Sequence, residues 1–487
     1  MTINLNGIPS TIRTPLVYIE FDNSKAVQGT PDIMHKVLVL GQMLTTGTAT
    51  AEVPVRVLSA DQATSLFGQG SMLANMFSAI KTADRYIETW AIPLADAAAG
   101  AAASGTLTIT GPATASGTLN VYIGGQRVRV SITIGDAATA VATALAAAIT
   151  AALDLPVTAA AVDAVVTLTA RHKGECGNAI DLRLNYYGET TPAGISVAIV
   201  AMSSGSANPD VADAIAAFGD ELWNTFVMPW TDAANMVALE TELLDRWGPL
   251  HQMDGIAYSA FRGTHGESGT WGNARNNQLV SCMATGTTPT PPWIFAAVYA
   301  VIAAGSLSID PARPLQTLRL TGVMPPAVGD RWTKEERNLL LYDGMATYKV
   351  DSGGNVLIER EVTTYQTNSY DLPDPSYLDV QTPATLGYIR YATNARITQK
   401  FPRCKLADDG TRFSPGQAIV TPSIVHAELL VLFRELEEKG LVENFEQFKA
   451  DLIVERDADD RNRLNVLAGP DLVNQFRVFA EQIQFIL

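Results

Sequence analysis

Apolar positions along this chain follow two periods that alternate. Val37-Leu38-Val39-Leu40 is apolar throughout, as a strand covered on both faces requires, and predicts a buried strand over 36–41. Residues 53–58 favour strand but contain Pro54, which has no amide hydrogen to give a ladder and so belongs near a sheet edge. Ser59 and Ser71 each precede helically spaced apolar residues and predict N-caps for helices over 60–67 and 71–80, with a strand after them over 86–92. The alternation resumes later, with helices at 211–218 and 233–247 and strands at 224–228, 255–261 and 279–284. Strand and helix in turn imply an α/β layer.

The pattern breaks between these stretches. Residues 95–105 are nearly all Ala, Gly and Ser and predict a flexible joint; Ser203-Ser204-Gly205-Ser206 reads as the returning linker. Between them lie strands at 106–110, 119–123, 127–134, 165–170, 180–184 and 195–201. Gly124-Gly125 forms a two-residue hairpin turn, and Asp136 caps an Ala-rich helix over 137–152. The reading is a β-rich α+β domain over 97–206, inserted into an α/β domain made of 31–96 and 207–345.

Further on, the glycine-rich stretch 262–272 predicts a loop, and an apolar helix follows over 293–304. Thr333 and Glu336 form a capping box for a helix ending at Tyr342; a hairpin follows over 345–350 and 356–364. Thr382-Pro383 opens a helix to Lys400, and Ser423 starts one over 424–439 that Gly440 closes. A short helix at 443–449 and a strand at 451–455 complete a C-terminal α+β region over 346–467. An N-terminal arm over 1–30, with a strand at 14–21, precedes the layer, and a last segment over 468–487 ends the sequence.

That last segment is rich in β-formers. Extended, it puts Phe479, Ile483, Phe485 and Leu487 on one face with Glu481, and Val478, Ala480, Gln482, Gln484 and Ile486 on the other. A strand with two greasy faces must enter a sheet, its own subunit's or a neighbour's, since an unpaired apolar edge aggregates.

With 487 residues the chain exceeds one ordinary core and predicts several domains. A net charge of −16 argues against nucleic acid as a partner, because phosphates need clustered Lys and Arg. Cys176, Cys282 and Cys404 show neither metal spacing nor a disulfide framework and read as reduced. The start carries no signal-peptide pattern, and the longest apolar run, 293–304, is too short to cross a membrane, so no membrane insertion is expected.

The motifs of chemistry are missing. G-x-x-x-x-G-K-[ST] occurs nowhere, and His35, His172, His251, His265 and His426 lack the i, i+4 pairing of a zinc helix. His265-Gly266-Glu267-Ser268-Gly269 resembles a nucleophile elbow without its G-x-S-x-G spacing. The expectation is a non-enzyme with no cofactor and no metal. One electrostatic feature stands out: 390–412 holds six basic residues against two acidic ones, a net +4, and 428–460 holds eleven acidic against four basic, a net −7. These blocks either pair within the chain or meet across copies of it; Arg390, Arg396, Lys400, Arg403, Glu435 and Glu438 are the candidate electrostatic interface.

Several strings resemble the contractile tail sheath proteins of Mu-type phages: Pro15-Leu16-Val17-Tyr18-Ile19-Glu20-Phe21, Leu66-Phe67-Gly68-Gln69-Gly70-Ser71, Pro373-Asp374-Pro375-Ser376-Tyr377, Arg396-Ile397-Thr398-Gln399-Lys400, Asp408-Asp409-Gly410-Thr411-Arg412-Phe413 and Pro470-Asp471-Leu472-Val473-Asn474-Gln475-Phe476-Arg477-Val478. The resemblance implies a subunit made in the bacterial cytoplasm and carried in the virion tail. It would stack as six-membered rings around the tail tube, between baseplate and tail terminator, and shorten to drive the tube through the host envelope. It further implies an α/β sheath core, an outermost inserted domain, and a C-terminal assembly domain completed by strands exchanged between subunits. The donors would be Leu16, Val17, Tyr18, Ile19 and Phe21 at one end and Val478, Phe479, Ile483 and Phe485 at the other, with the recipient sheet within 350–466. Competing readings are the sheath of another contractile machine such as a bacteriocin, an α/β enzyme whose residues converge only in space, and a capsid or adhesin component suggested by the β-rich insert.

Overall fold

The structure, a computed structural model, describes Thr14, Val17, Ile19 and residues 34–414 and 416–487. Apart from Thr14, Val17 and Ile19, these residues divide into two compact units, one of 34–388 with 472–487 and the other of 389–471. The dividing point lies inside one helix, Gln381–Lys400. Val17 and Ile19 are exposed and outside any strand, whereas Leu16, Tyr18 and Phe21 lie outside the described residues, so the strand expected at 14–21 does too.

The larger unit is built on a six-stranded sheet in the order Val280–Ala284, Ile256–Phe261, Thr225–Val227, Lys36–Gln42, Glu88–Leu94, Val55–Arg56. The first five strands run parallel and the short last one antiparallel, so the strand beside Pro54 takes an edge. The all-apolar Val37 to Leu40 are fully buried, as expected of a parallel strand covered on both faces. Helix Pro292–Leu307 packs across Ile256–Phe261, Thr225–Val227 and Lys36–Gln42 and against helix Met72–Ala83. It is apolar all round because it is buried all round: Phe295, Val298, Tyr299 and Val301 have no exposed surface. Each such side chain contributes about 1.5–3 kcal/mol by leaving water. Its Tyr299 hydroxyl meets Ser281 Oγ at 2.8 Å, so the polar tip is satisfied at the core's centre.

The insert is two antiparallel sheets. One runs Ser196–Ser203, Ala102–Thr110, Val165–Lys173, Val157–Val162; the other runs Gln126–Ile132, Gly117–Ile123, Leu182–Leu184. Gly124 and Gly125 make the hairpin turn with φ of +54° and +80°, the left-handed pair that a two-residue turn demands. Helix Ala138–Ala151 lays Val141, Leu145 and Ile149 on both sheets.

The structure corrects several readings of the sequence. Strand Val157–Val162 was missed, since Val-Thr-Ala-Ala-Ala-Val has too little bulk to show a period. Asp136 does not cap the Ala-rich helix; its carboxylate instead accepts from the Thr133 amide at 2.7 Å, and Ala137 precedes the helix uncapped. Helix Pro422–Glu438 begins after Thr421, before Ser423, because proline suits a first turn that needs no amide donor. The joint at 95–105 is anchored: Asp96 accepts from Gln42 Nε2 at 2.8 Å and the Lys173 amide at 3.0 Å and contacts His172 Nδ1 at 2.8 Å, and strand already starts at Ala102.

The smaller unit packs helices Pro422–Glu438 and Phe445–Asp451 together through stacked Phe433 and Phe448. Helix Pro422–Glu438 also covers strand Ile453–Arg456, which pairs antiparallel with Leu464–Leu467. Gly440, at φ +72°, ends that helix as expected.

Candidate assembly interface

The segment most like a catalytic loop is helix His265–Asn273. A reciprocal capping box between Thr264 and Glu267 nucleates it, and this local gain outweighs the low helix propensity of its glycines. Ser268 is buried with its hydroxyl on the Thr264 carbonyl at 2.9 Å, and His265 Nε2 meets the Glu336 carbonyl at 2.9 Å. Both groups serve the fold. Among the described residues no cluster of three or more His, Cys, Asp or Glu could hold a metal ion, and no helix is long and apolar enough to cross a membrane.

The C-terminal segment behaves otherwise. From 473 onward the chain is in neither helix nor strand, and among the described residues no strand pairs with it. Val478, Phe479, Ile483 and Phe485 are 72–78% exposed, and Ile486 and Leu487 entirely so. A segment of this composition left in water is an open apolar edge.

Its root is fixed. Arg477 Nη2 donates to Glu361 Oε1 at 2.6 Å, Asp379 Oδ1 at 3.1 Å and Gln381 Oε1 at 3.1 Å. Glu361 is fully buried, and its Oε1 also accepts from the Leu315 amide at 3.0 Å and Gln381 Nε2 at 2.6 Å. Arg360 grips Asp379 with two bonds of 3.0 and 2.9 Å, so two guanidiniums balance two carboxylates. Gln316 Nε2 reaches the Phe476 carbonyl at 3.3 Å and Gln475 Nε2 reaches the Ala312 carbonyl at 3.4 Å. Sequence reading missed this cluster. The signal was there: Arg477 is the single basic residue after Arg463, set among Phe476, Val478 and Phe479, and a lone cation in an apolar stretch needs a buried anion.

The charge blocks meet inside the smaller unit. Arg396, only 6% exposed, donates to Glu428 Oε1 at 2.8 Å and also to Glu435. Lys400 Nζ lies 2.7 Å from the same Glu428 oxygen. Burial raises the Glu428 carboxyl, but the bonds from Lys400 and Arg396 outweigh it and hold the group below the usual carboxylate range. Arg390 is half-buried, while Arg403 and Glu438 are exposed. Hairpin Ile453–Arg456 with Leu464–Leu467 exposes Ile453 by 51%, Val466 by 46% and Leu467 by 66%, and among the described residues neither of its outer edges is paired.

Family models describe the same stretches. The phage tail sheath β-sandwich domain matches 98–197, the sheath central domain 204–364, and the sheath C-terminal domain 373–486. The Mu-like prophage FluMu tail sheath protein of Haemophilus influenzae is 50% identical over 488 residues, covering all of both chains. The fold is also similar to that of a sheath tail protein from Desulfitobacterium hafniense, with TM-score 0.51 at 15% identity over 94% of this chain and 97% of that one. One from Listeria innocua gives 0.50 at 11% over 92% and 94%. Identity sustained from end to end, over a fold shared with other sheath proteins, leaves one assignment: the chain belongs to the tail sheath proteins of Mu-like bacteriophages.

Proposed function

We propose that this chain polymerises as stacked six-membered rings around a tail tube, between baseplate and tail terminator, and that the array contracts to drive the tube through the host envelope. Assembly takes place in the bacterial cytoplasm, with the sheath carried in the virion tail. The observation that supports this reading is the exposed apolar segment 478–487, which has no strand partner among the described residues of a sheath-family chain. A neighbouring copy supplies the missing sheet, as in reciprocal β-augmentation. The recipient best supported within 350–466 is the hairpin Ile453–Arg456 and Leu464–Leu467, whose outer edges are open and whose Ile453, Val466 and Leu467 are exposed. Donation from Leu16, Val17, Tyr18, Ile19 and Phe21 occupies the second edge. Contraction needs no nucleotide if the extended array is a metastable packing that relaxes to one with better contacts, while exchanged strands keep the mesh connected.

Negative-stain microscopy of the purified protein under polymerising conditions tests this. Ringed tubes with six-fold end views, found in a long and a short form, are the expected outcome; compact particles at every concentration would exclude it.

A further inference from the structure

The chain leaves the larger unit along helix Gln381–Lys400, forms the smaller unit, and returns to the larger one at 472–487. The leaving and returning segments of the chain are tied together by side chains: Gln381 and Arg477 bond each other and both bond the fully buried Glu361. Only Leu472, Val473 and Asn474 separate the smaller unit from the anchored Gln475-Phe476-Arg477. The arm therefore has no long flexible root. It begins at a fixed point on the larger unit.

We propose that Arg477 is the positioning residue of the C-terminal arm: clamped by Glu361, Asp379 and Gln381, it makes residues 478–487 the free length and starts them from the larger unit, not from the smaller one. Ten extended residues reach about 33 Å, so the arm pairs only with a sheet edge within that distance of the clamp. Resting on the strand-exchange reading for its destination, the clamp implies that each link between copies joins the larger unit of one subunit to the smaller unit of the next. Movement of the larger unit then carries the donated strand with it. The site suits this task, because an arginine leaving it would strand Glu361 as a buried charge without a counter-ion.

The sequence offers a direct probe. Trypsin cuts after arginine, chymotrypsin after phenylalanine, and residues 478–487 contain neither Lys nor Arg, so tryptic release yields one ten-residue peptide. Each protease is applied briefly to the full-length monomer, with rates normalised to a synthetic peptide of residues 470–487. Cleavage after Phe479, which is 72% exposed, should approach the peptide rate, whereas cleavage after Arg477 should be slower than its peptide by about tenfold or more, since local opening must come first. Glu361→Gln and Asp379→Asn should each restore rapid tryptic loss of 478–487. Equal normalised rates at both bonds in the parent protein would overturn the clamp, and that comparison needs no variant to fold. Arg477→Gln, which keeps the arm but frees its start, should lower the yield of ordered tubes while urea unfolding still reports a folded monomer; normal tubes from it also count against a positioning role. If a chain truncated after Arg477 builds normal tubes, the exchange reading fails, yet the protease result still decides whether the clamp exists.

Discussion

At the scale of single residues, the charge blocks show how placement decides what an ion pair contributes. Arg396 and Lys400 look alike in sequence, and reversing either charge is a natural test of contacts between copies. Their surroundings separate them: Arg396 is 6% exposed and shared by Glu428 and Glu435, whereas the Lys400 side chain is 47% exposed. Arg396→Ala leaves two carboxylates facing each other without their main cation, and the cost falls toward the lower end of about 3–5 kcal/mol because Glu435 keeps some solvent. Lys400→Ala costs below about 1 kcal/mol. Urea unfolding of the monomer measures both. Arg396 is thus unsuited to testing assembly, because its loss damages the fold first, and the exposed Arg403 and Glu438 are the better probes. Asp96 carries a pH signature of its own. Burial raises its carboxyl, but hydrogen bonds from His172, Lys173 and Gln42 outweigh burial and place it below its ordinary 3.8. The Met72 amide donates to His172 Nε2 at 3.0 Å, so the ring proton sits on Nδ1 and points at Asp96. A depressed carboxyl adds stability that is complete above pH 3.8 and disappears as pH falls through the folded value. Asp96→Asn should therefore be less stable than the parent at neutral pH, with the gap closing in acid, as read from urea unfolding against pH.

At the scale of elements, what the sequence revealed follows the range of the forces involved. Ser59, Ser71 and the Thr333–Glu336 box were legible because a cap needs only residues three positions away, and all three are in place. The same logic applied to Thr264 and Glu267, but four glycines between 263 and 272 hid it, and a helix was read as a loop. Gly272 has a packing reason. A Cβ on Gly272 would collide with the Asp343 carbonyl and lie 2.8 Å from Met345 Cγ, so the helix approaches the turn after helix Lys334–Tyr342 more closely than any side chain permits. Gly272→Ala should destabilise the larger unit by about 1–3 kcal/mol despite the better helix propensity of alanine. Gly266, with open space around it, is the control: Gly266→Ala should be neutral or stabilising, and the two thermal midpoints check the argument. The partners in contacts between residues far apart in sequence were not legible. Arg396 meets Glu428 across 32 positions and Arg477 meets Glu361 across 116; opposite charge blocks and a lone arginine in an apolar stretch signal that each cation needs an anion, but no local pattern names which one.

At the scale of the whole molecule, the C-terminal residues stand apart from the fold's own energetics. Beyond Arg477 every residue is exposed, so these ten contribute almost nothing to the unfolding free energy of a single subunit. Truncation after Arg477 should shift the stability of the monomer by no more than about 0.5 kcal/mol, as for surface changes that touch no buried feature. It should nonetheless abolish tube formation under polymerising conditions, because on the strand-exchange reading the neighbour's hairpin loses its added strand. Two measurements on one sample separate these effects: urea unfolding reports the monomer, and sedimentation followed by microscopy reports the polymer. An apolar segment free in water also drives association of its own kind, so the full-length monomer should self-associate at high concentration and the truncated one should not. A truncated chain that unfolds early would mean that 478–487 serves its own subunit, and one that still sediments as ordered tubes would mean that the rings are joined elsewhere. Only a stable monomer that fails to polymerise agrees with an arm that completes its neighbour.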